Sequence, residues 1–136
     1  MDASQGSRRA VETDRAPAPI GPYSQAVVAN GVLYCSGQVP LDPASGELIE
    51  GGIAEQASRC LQSLDAVCRA AGTRLSDAAR IGIYLTDMAA FPKVNEVYAT
   101  FFEKPFPVRT TIGVAALPKG AMVEMDATVP LSAGSP

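Results

Sequence analysis

The apolar residues of this chain change period along its length, and that change restricts its fold more than any other feature. Residues 25–29 and 32–38 read as two extended runs joined by Asn30-Gly31. That dipeptide accepts the positive φ angles a two-residue hairpin turn requires. From Ile53 the apolar spacing becomes three and four, through Ala57, Cys60, Leu61, Leu64, Val67, Cys68 and Ala71. Glu55, Gln56, Arg59, Gln62 and Arg69 fall between them, which predicts an amphipathic helix with Gly72 as its C-terminal cap. Residues 79–85 return to strand character through Ile81, Ile83 and Leu85. A second helix is expected over 89–102, with Pro92 in its first turn and an apolar face of Phe91, Val94, Val97, Tyr98, Phe101 and Phe102. Strands at 108–115 and 122–129 complete the order ββαβαββ, an α+β chain with a mixed sheet and two helices on one face.

The prolines at 17, 19 and 22 enforce extended backbone, so the folded region is expected to open there. Residues 1–16 are expected to be a flexible N-terminal extension, 17–131 one domain, and 132–136 a flexible tail. Several strands are apolar at both parities, for example Val32 and Tyr34 against Leu33 and Cys35. A sheet apolar on both faces needs two covers, and the helices supply one. The second cover is expected to be another copy of the chain, which makes the protein a homo-oligomer.

Composition narrows the chemistry. The chain has no His, which removes Ser-His-Asp and Cys-His nucleophile systems, His-rich zinc sites and the usual general base near neutral pH. Any catalysis must use carboxylate, Arg, Tyr, Ser/Thr, Lys, Cys or backbone groups. A formal net charge of −3 without a basic block argues against binding a nucleic-acid backbone. Cys35, Cys60 and Cys68 are odd in number and show no CxxC spacing, so buried thiols are expected rather than disulfides or a metal site. There is no run of about 18 apolar residues and no secretory N-terminal segment, so the expected compartment is the cytoplasm.

The residues able to carry chemistry cluster late in the chain. Alternation puts Arg109, Thr111 and Gly113 on one face of their strand. In the next strand Glu124, Asp126 and Thr128 share a face. If these strands form a hairpin about Lys119, Glu124 comes within reach of the Arg109 region. A guanidinium grips a carboxylate through two parallel hydrogen bonds, and a nearby Glu can activate water. The ordinary alternative is a cross-strand ion pair, worth about 0–1 kcal/mol when exposed. Taken singly, Tyr23, Ser36-Gly37 and Asn95 read as a packing residue, a bulge or turn, and a helix surface residue.

Together these segments resemble the RidA/YjgF-type enamine/imine deaminases. The resemblance rests on residues 20–25 (IGPYSQ), 36–40 (SGQVP), Asn95, 107–111 (PVRTT), 114–118 (VAALP) and 123–126 (VEMD), in family order. It implies a chorismate-mutase-like fold and a homotrimer with clefts between subunits. It also implies hydrolysis of reactive 2-imino acids, such as those derived from 2-aminoacrylate, to 2-keto acids and ammonia. Arg109 would then hold the substrate carboxylate and Glu124 would position or activate water. Tyr23, Ser36, Gly37 and Asn95 would line the cleft, with the Thr111 backbone at the imine end. Many relatives carry Cys where this chain has Thr111, a change that a backbone role tolerates. The resemblance implies neither cofactor nor metal. A non-catalytic sensor of small carboxylates and a chaperone-like protein are the competing readings.

Overall fold

A computed structural model describes residues 7–132. Its strands are β1 (Arg9–Val11), β2 (Ala26–Ala29), β3 (Val32–Gln38), β4 (Arg80–Leu85), β5 (Val108–Gly113) and β6 (Val123–Pro130). The helices are α1 (Ile53–Ala70) and α2 (Phe91–Tyr98). The strands form a single sheet in the order β1-β2-β3-β6-β4-β5, antiparallel except for the parallel β4–β5 pair.

Local chemistry explains the elements. Asn30 and Gly31 take φ of 52° and 75°, and Ala29 pairs with Val32, so the β2–β3 turn is the two-residue hairpin expected. The side chain of Glu55 accepts a hydrogen bond from the Gly52 N–H at 2.9 Å and caps the start of α1. Gly72, at φ 87°, ends it. Most of a helix's stability in a protein comes from packing its apolar face, so the 18-residue α1 depends on its buried stripe. Ala57, Cys60, Leu61, Leu64, Val67 and Cys68 are fully buried against Leu33, Ile81, Ile83, Met125 and Val129 of the sheet. Each such Leu, Ile or Val contributes about 1.5–3 kcal/mol. α2 packs beside α1 on the same face, through Val94 and Tyr98.

Three expectations need correction. Residues 9–16 are not a flexible extension: Arg9–Val11 pairs with β2, and Val11 and Ala16 are buried. Gln25 holds this segment, accepting from the Thr13 N–H and donating to the carbonyls of Thr13, Ala16 and Pro17. Residues 1–6 and 133–136 lie outside the described residues. The second helix is shorter than expected, because a 3-10 turn over Met88–Ala90 precedes it and α2 stops at Tyr98. Most consequentially, β5 and β6 do not form a hairpin. The Pro118–Gly120 turn delivers β6 to the far side of β4, between β4 and β3.

Candidate active site

The position of β4 decides the geometry of the site. Ile81 pairs with Arg109 on one side and Ala127 on the other, while Tyr84 pairs with Ile112 and Glu124. Cross-strand partners project to the same face. Arg109 and Thr111 therefore share the helix-covered face with Ile81, Ile83 and Met125. Glu124 and Asp126 share the open face with Tyr84. The alternation expected within each strand holds, but the two candidate catalytic groups lie on opposite faces with a strand between them. One chain does not bring them together.

On the open face, β3 carries a bulge. Cys35 pairs with Ala127 and Gln38 with Met125, so Ser36-Gly37 faces a single residue of β6. An extra residue bends the strand and re-aims its neighbours. Here it presses the Gly37 backbone against Glu124, so closely that a Cβ at Gly37 would overlap the Glu124 carboxylate. Ser36 donates its hydroxyl to the Ser24 carbonyl at 2.6 Å, leaving the oxygen's lone pairs to accept. The Tyr23 hydroxyl accepts from the Ile20 N–H at 3.3 Å, and its ring stays 48% exposed. Ile20, Tyr23, Ser36, Gly37, Val39, Pro118 and Glu124 line a concavity of about 430 Å³. Tyr23, Ser36, Gly37 and Glu124 are thus brought together.

Burial raises the Glu124 pKa above the ordinary carboxylate value, and the like charge of Asp126 raises it further. Asp126 is itself held by Arg80 at 3.0 Å and by the Tyr84 hydroxyl at 2.7 Å. The cross-strand ion pair on this face is therefore Arg80–Asp126, while Glu124 keeps its carboxylate free of hydrogen-bond donors among the described residues.

The remaining candidates gather at the β5 edge. Asn95, Tyr98, Ala99, Phe106, Pro107 and Arg109 line a second concavity of about 320 Å³. The Arg109 guanidinium carbon lies 4.8 Å from the Tyr98 ring centroid and 5.4 Å from that of Phe91. Phe91, Asn95 and Tyr98 recur at spacings of four and three, one stripe of α2. The N–H groups of Val108 and Val114 donate inward to Ala79 and Leu85. Alternation then turns the Arg109, Thr111 and Gly113 N–H groups outward along the edge, available to a ligand. The Thr111 hydroxyl is buried without a hydrogen-bond partner among the described residues.

The sequence reading placed Phe91 and Tyr98 in an apolar stripe and missed that they face Arg109. The spacing around Asn95 is the signal that could have found them. All three cysteines are free and buried. Burial pushes the Cys60 thiol pKa well up, and hydrogen bonding to Cys35 together with burial does the same for Cys68. None belongs to either cluster. Among the described residues no three His, Cys, Asp or Glu side chains gather as metal ligands, and no helix is long and apolar enough to cross a membrane.

A six-stranded mixed sheet with both helices on one face, and a polar cluster at a bulge on the other, defines an α+β fold of the chorismate-mutase-like class. Within it, the chain belongs to the RidA/YjgF family, whose family model, described as endoribonuclease L-PSP, matches residues 13–130. A mouse protein named 2-iminobutanoate/2-iminopropanoate deaminase is 45% identical over 120 residues, covering 88% of this chain and 89% of its own. A RutC family protein of Sinorhizobium fredii is 46% identical over 122 residues, 90% of this chain and 97% of that one. The crystal structure of RidA from an Antarctic Psychrobacter superimposes with a TM-score of 0.87 at 40% identity, covering 90% of this chain and 99% of that one.

Proposed function

We propose that this protein hydrolyses 2-imino acids to 2-keto acids and ammonia, in a site completed by a second copy of the chain. The observation that carries this reading is the division of the polar groups. A guanidinium free of acidic partners among the described residues sits on one face, and a desolvated carboxylate sits on the other. Two copies arranged head to tail, as in a homotrimer, would join the Arg109 edge of one to the Tyr23–Glu124 cluster of the next. The open face also presents Tyr34, Val108 and Ile112, all at least 44% exposed, which a neighbouring copy would cover. The names carried by the mammalian relatives support the same substrate class.

In this reading Arg109 fixes the substrate carboxylate through its paired N–H donors, beside Asn95 and the outward N–H of Thr111. Glu124 takes a proton from water as the oxygen bonds to the imine carbon. That proton passes to nitrogen to give a carbinolamine. Glu124 then relays the hydroxyl proton to the amino group as the C–N bond breaks and the C=O forms, so ammonia departs and a 2-keto acid remains. The step is redox-neutral, so it calls for no electron carrier. Imines hydrolyse unaided, so orientation and one positioned base supply the acceleration required.

The test is a coupled assay in which a pyridoxal-phosphate dehydratase releases 2-iminobutyrate and keto-acid formation is followed. The protein should accelerate that formation, and Arg109→Ala should abolish the acceleration while assembly persists. Binding of 2-ketobutyrate without acceleration would identify a sensor instead.

A further inference from the structure

Arg109 stands on an edge strand with its guanidinium exposed, a setting in which a long side chain normally samples many rotamers. Proteins usually restrain such a group with a carboxylate. The ion pairs among the described residues are Arg69–Asp65, Arg74–Asp77 and Arg80–Asp126, and Arg109 is in none of them. What it has instead is aromatic surface, Tyr98 at 4.8 Å and Phe91 at 5.4 Å, both within cation–π range. The Tyr98 ring is anchored: it is 6% exposed and packs on Phe102 with centroids 4.5 Å apart. Its hydroxyl has no hydrogen-bond partner among the described residues, so the ring, not the oxygen, is what its placement serves.

We propose that Phe91 and Tyr98 are positioning residues that hold the Arg109 guanidinium by its faces and leave its in-plane N–H edge free for a carboxylate. The difference from an acidic clamp is chemical. An Asp or Glu would occupy the same N–H donors the ligand needs and would repel an incoming carboxylate. An aromatic face attracts the cation through its quadrupole, uses no donor and adds no negative charge. The spacing in α2 places Asn95 between the two rings, so one helical stripe supplies both the platform and a polar neighbour for the bound acid. This inference rests on the reading of Arg109 as the carboxylate-binding group.

The experiment compares Phe91→Leu, Tyr98→Leu, Tyr98→Phe and Arg109→Ala with the parent protein, each checked for thermal stability and assembly. The probes are 2-ketobutyrate binding by calorimetry, KM and kcat in the coupled assay, and the ring-current shift of the Arg109 Nε–H by NMR without ligand. Each leucine variant should raise the 2-ketobutyrate Kd and the KM by about 3- to 10-fold. The kcat should change less than KM, and the ring-current shift should diminish. Tyr98→Phe, which keeps the ring, should match the parent in all three. If Tyr98→Leu does not fold, Phe91→Leu, at a half-buried position, decides the matter. Parental affinity and parental shift in folded Phe91→Leu would overturn the platform. Parental binding of 2-ketobutyrate by Arg109→Ala would overturn the carboxylate reading itself, whatever the aromatic variants do.

Discussion

The opposite-face placement of Arg109 and Glu124 makes a quantitative prediction about mixtures. Arg109→Ala subunits keep Glu124, and Glu124→Gln subunits keep Arg109. Loss of a positioned base or of the carboxylate anchor should lower turnover at least about 100-fold in each pure variant. If each site takes its arginine from one chain and its glutamate from the next, an equal mixture rebuilds some intact sites. A site is intact only when the first position holds a Glu124→Gln chain and the second an Arg109→Ala chain, each with a chance of one half. About a quarter of all sites are then intact, whether the closed ring has two, three or more members. The variants should be unfolded together, reassembled at equal concentration, and assayed for keto-acid formation against each parent treated alike. Recovery near a quarter of unmutated activity, at least about 25-fold above either parent, is expected. A reassembled mixture no more active than its parents would refute the shared site, because the register across β4 leaves one chain no means of joining the two groups.

Other predictions address how Glu124 is held. Gly37→Ala places a methyl where the Glu124 carboxylate now sits, and Gly37 has no positive φ to strain, so the carboxylate must swing aside. Turnover should fall about 100-fold with little loss of thermal stability, since a displacement of about 1 Å can cost that much; parental turnover would remove that carboxylate position from the chemistry. Asp126→Asn deletes the like charge that helps raise the Glu124 pKa. Because the base must be deprotonated, activity falls as pH drops through that pKa, and the variant's acid limb should move to lower pH in a kcat/KM profile.

Much of the fold was readable where local chemistry alone decides it. Asn30-Gly31 specifies its turn whatever surrounds it, Gly72 ends α1 through its positive φ, and the α1 stripe survives because one face meets the sheet. β1 was not readable: of Arg9-Ala10-Val11 only Val11 is buried, and what orders the segment is a side chain more than ten residues away, Gln25. The candidate residues of the site could be picked out in sequence, and alternation sorted them correctly within each strand. Their relation to one another could not be read, because the Leu117–Gly120 turn looks the same whether β6 returns beside β5 or passes to the far side of β4. Strand order is a long-range property, and it overturned the proximity of Arg109 and Glu124 within one chain. Phe91 and Tyr98 were legible as apolar and illegible as a platform, since only the β5 edge reveals what they cover.

The Gln25 side chain has a consequence for chemical ageing. Its amide nitrogen faces three backbone carbonyls and its oxygen meets one N–H, so both ends of the group are committed. Deamidation would leave its size nearly unchanged and reverse its meaning, setting a carboxylate against three carbonyl oxygens that expect a donor. A change of one mass unit at this position would therefore release residues 13–17 from the fold, turning a slow hydrolytic lesion into a loss of N-terminal order.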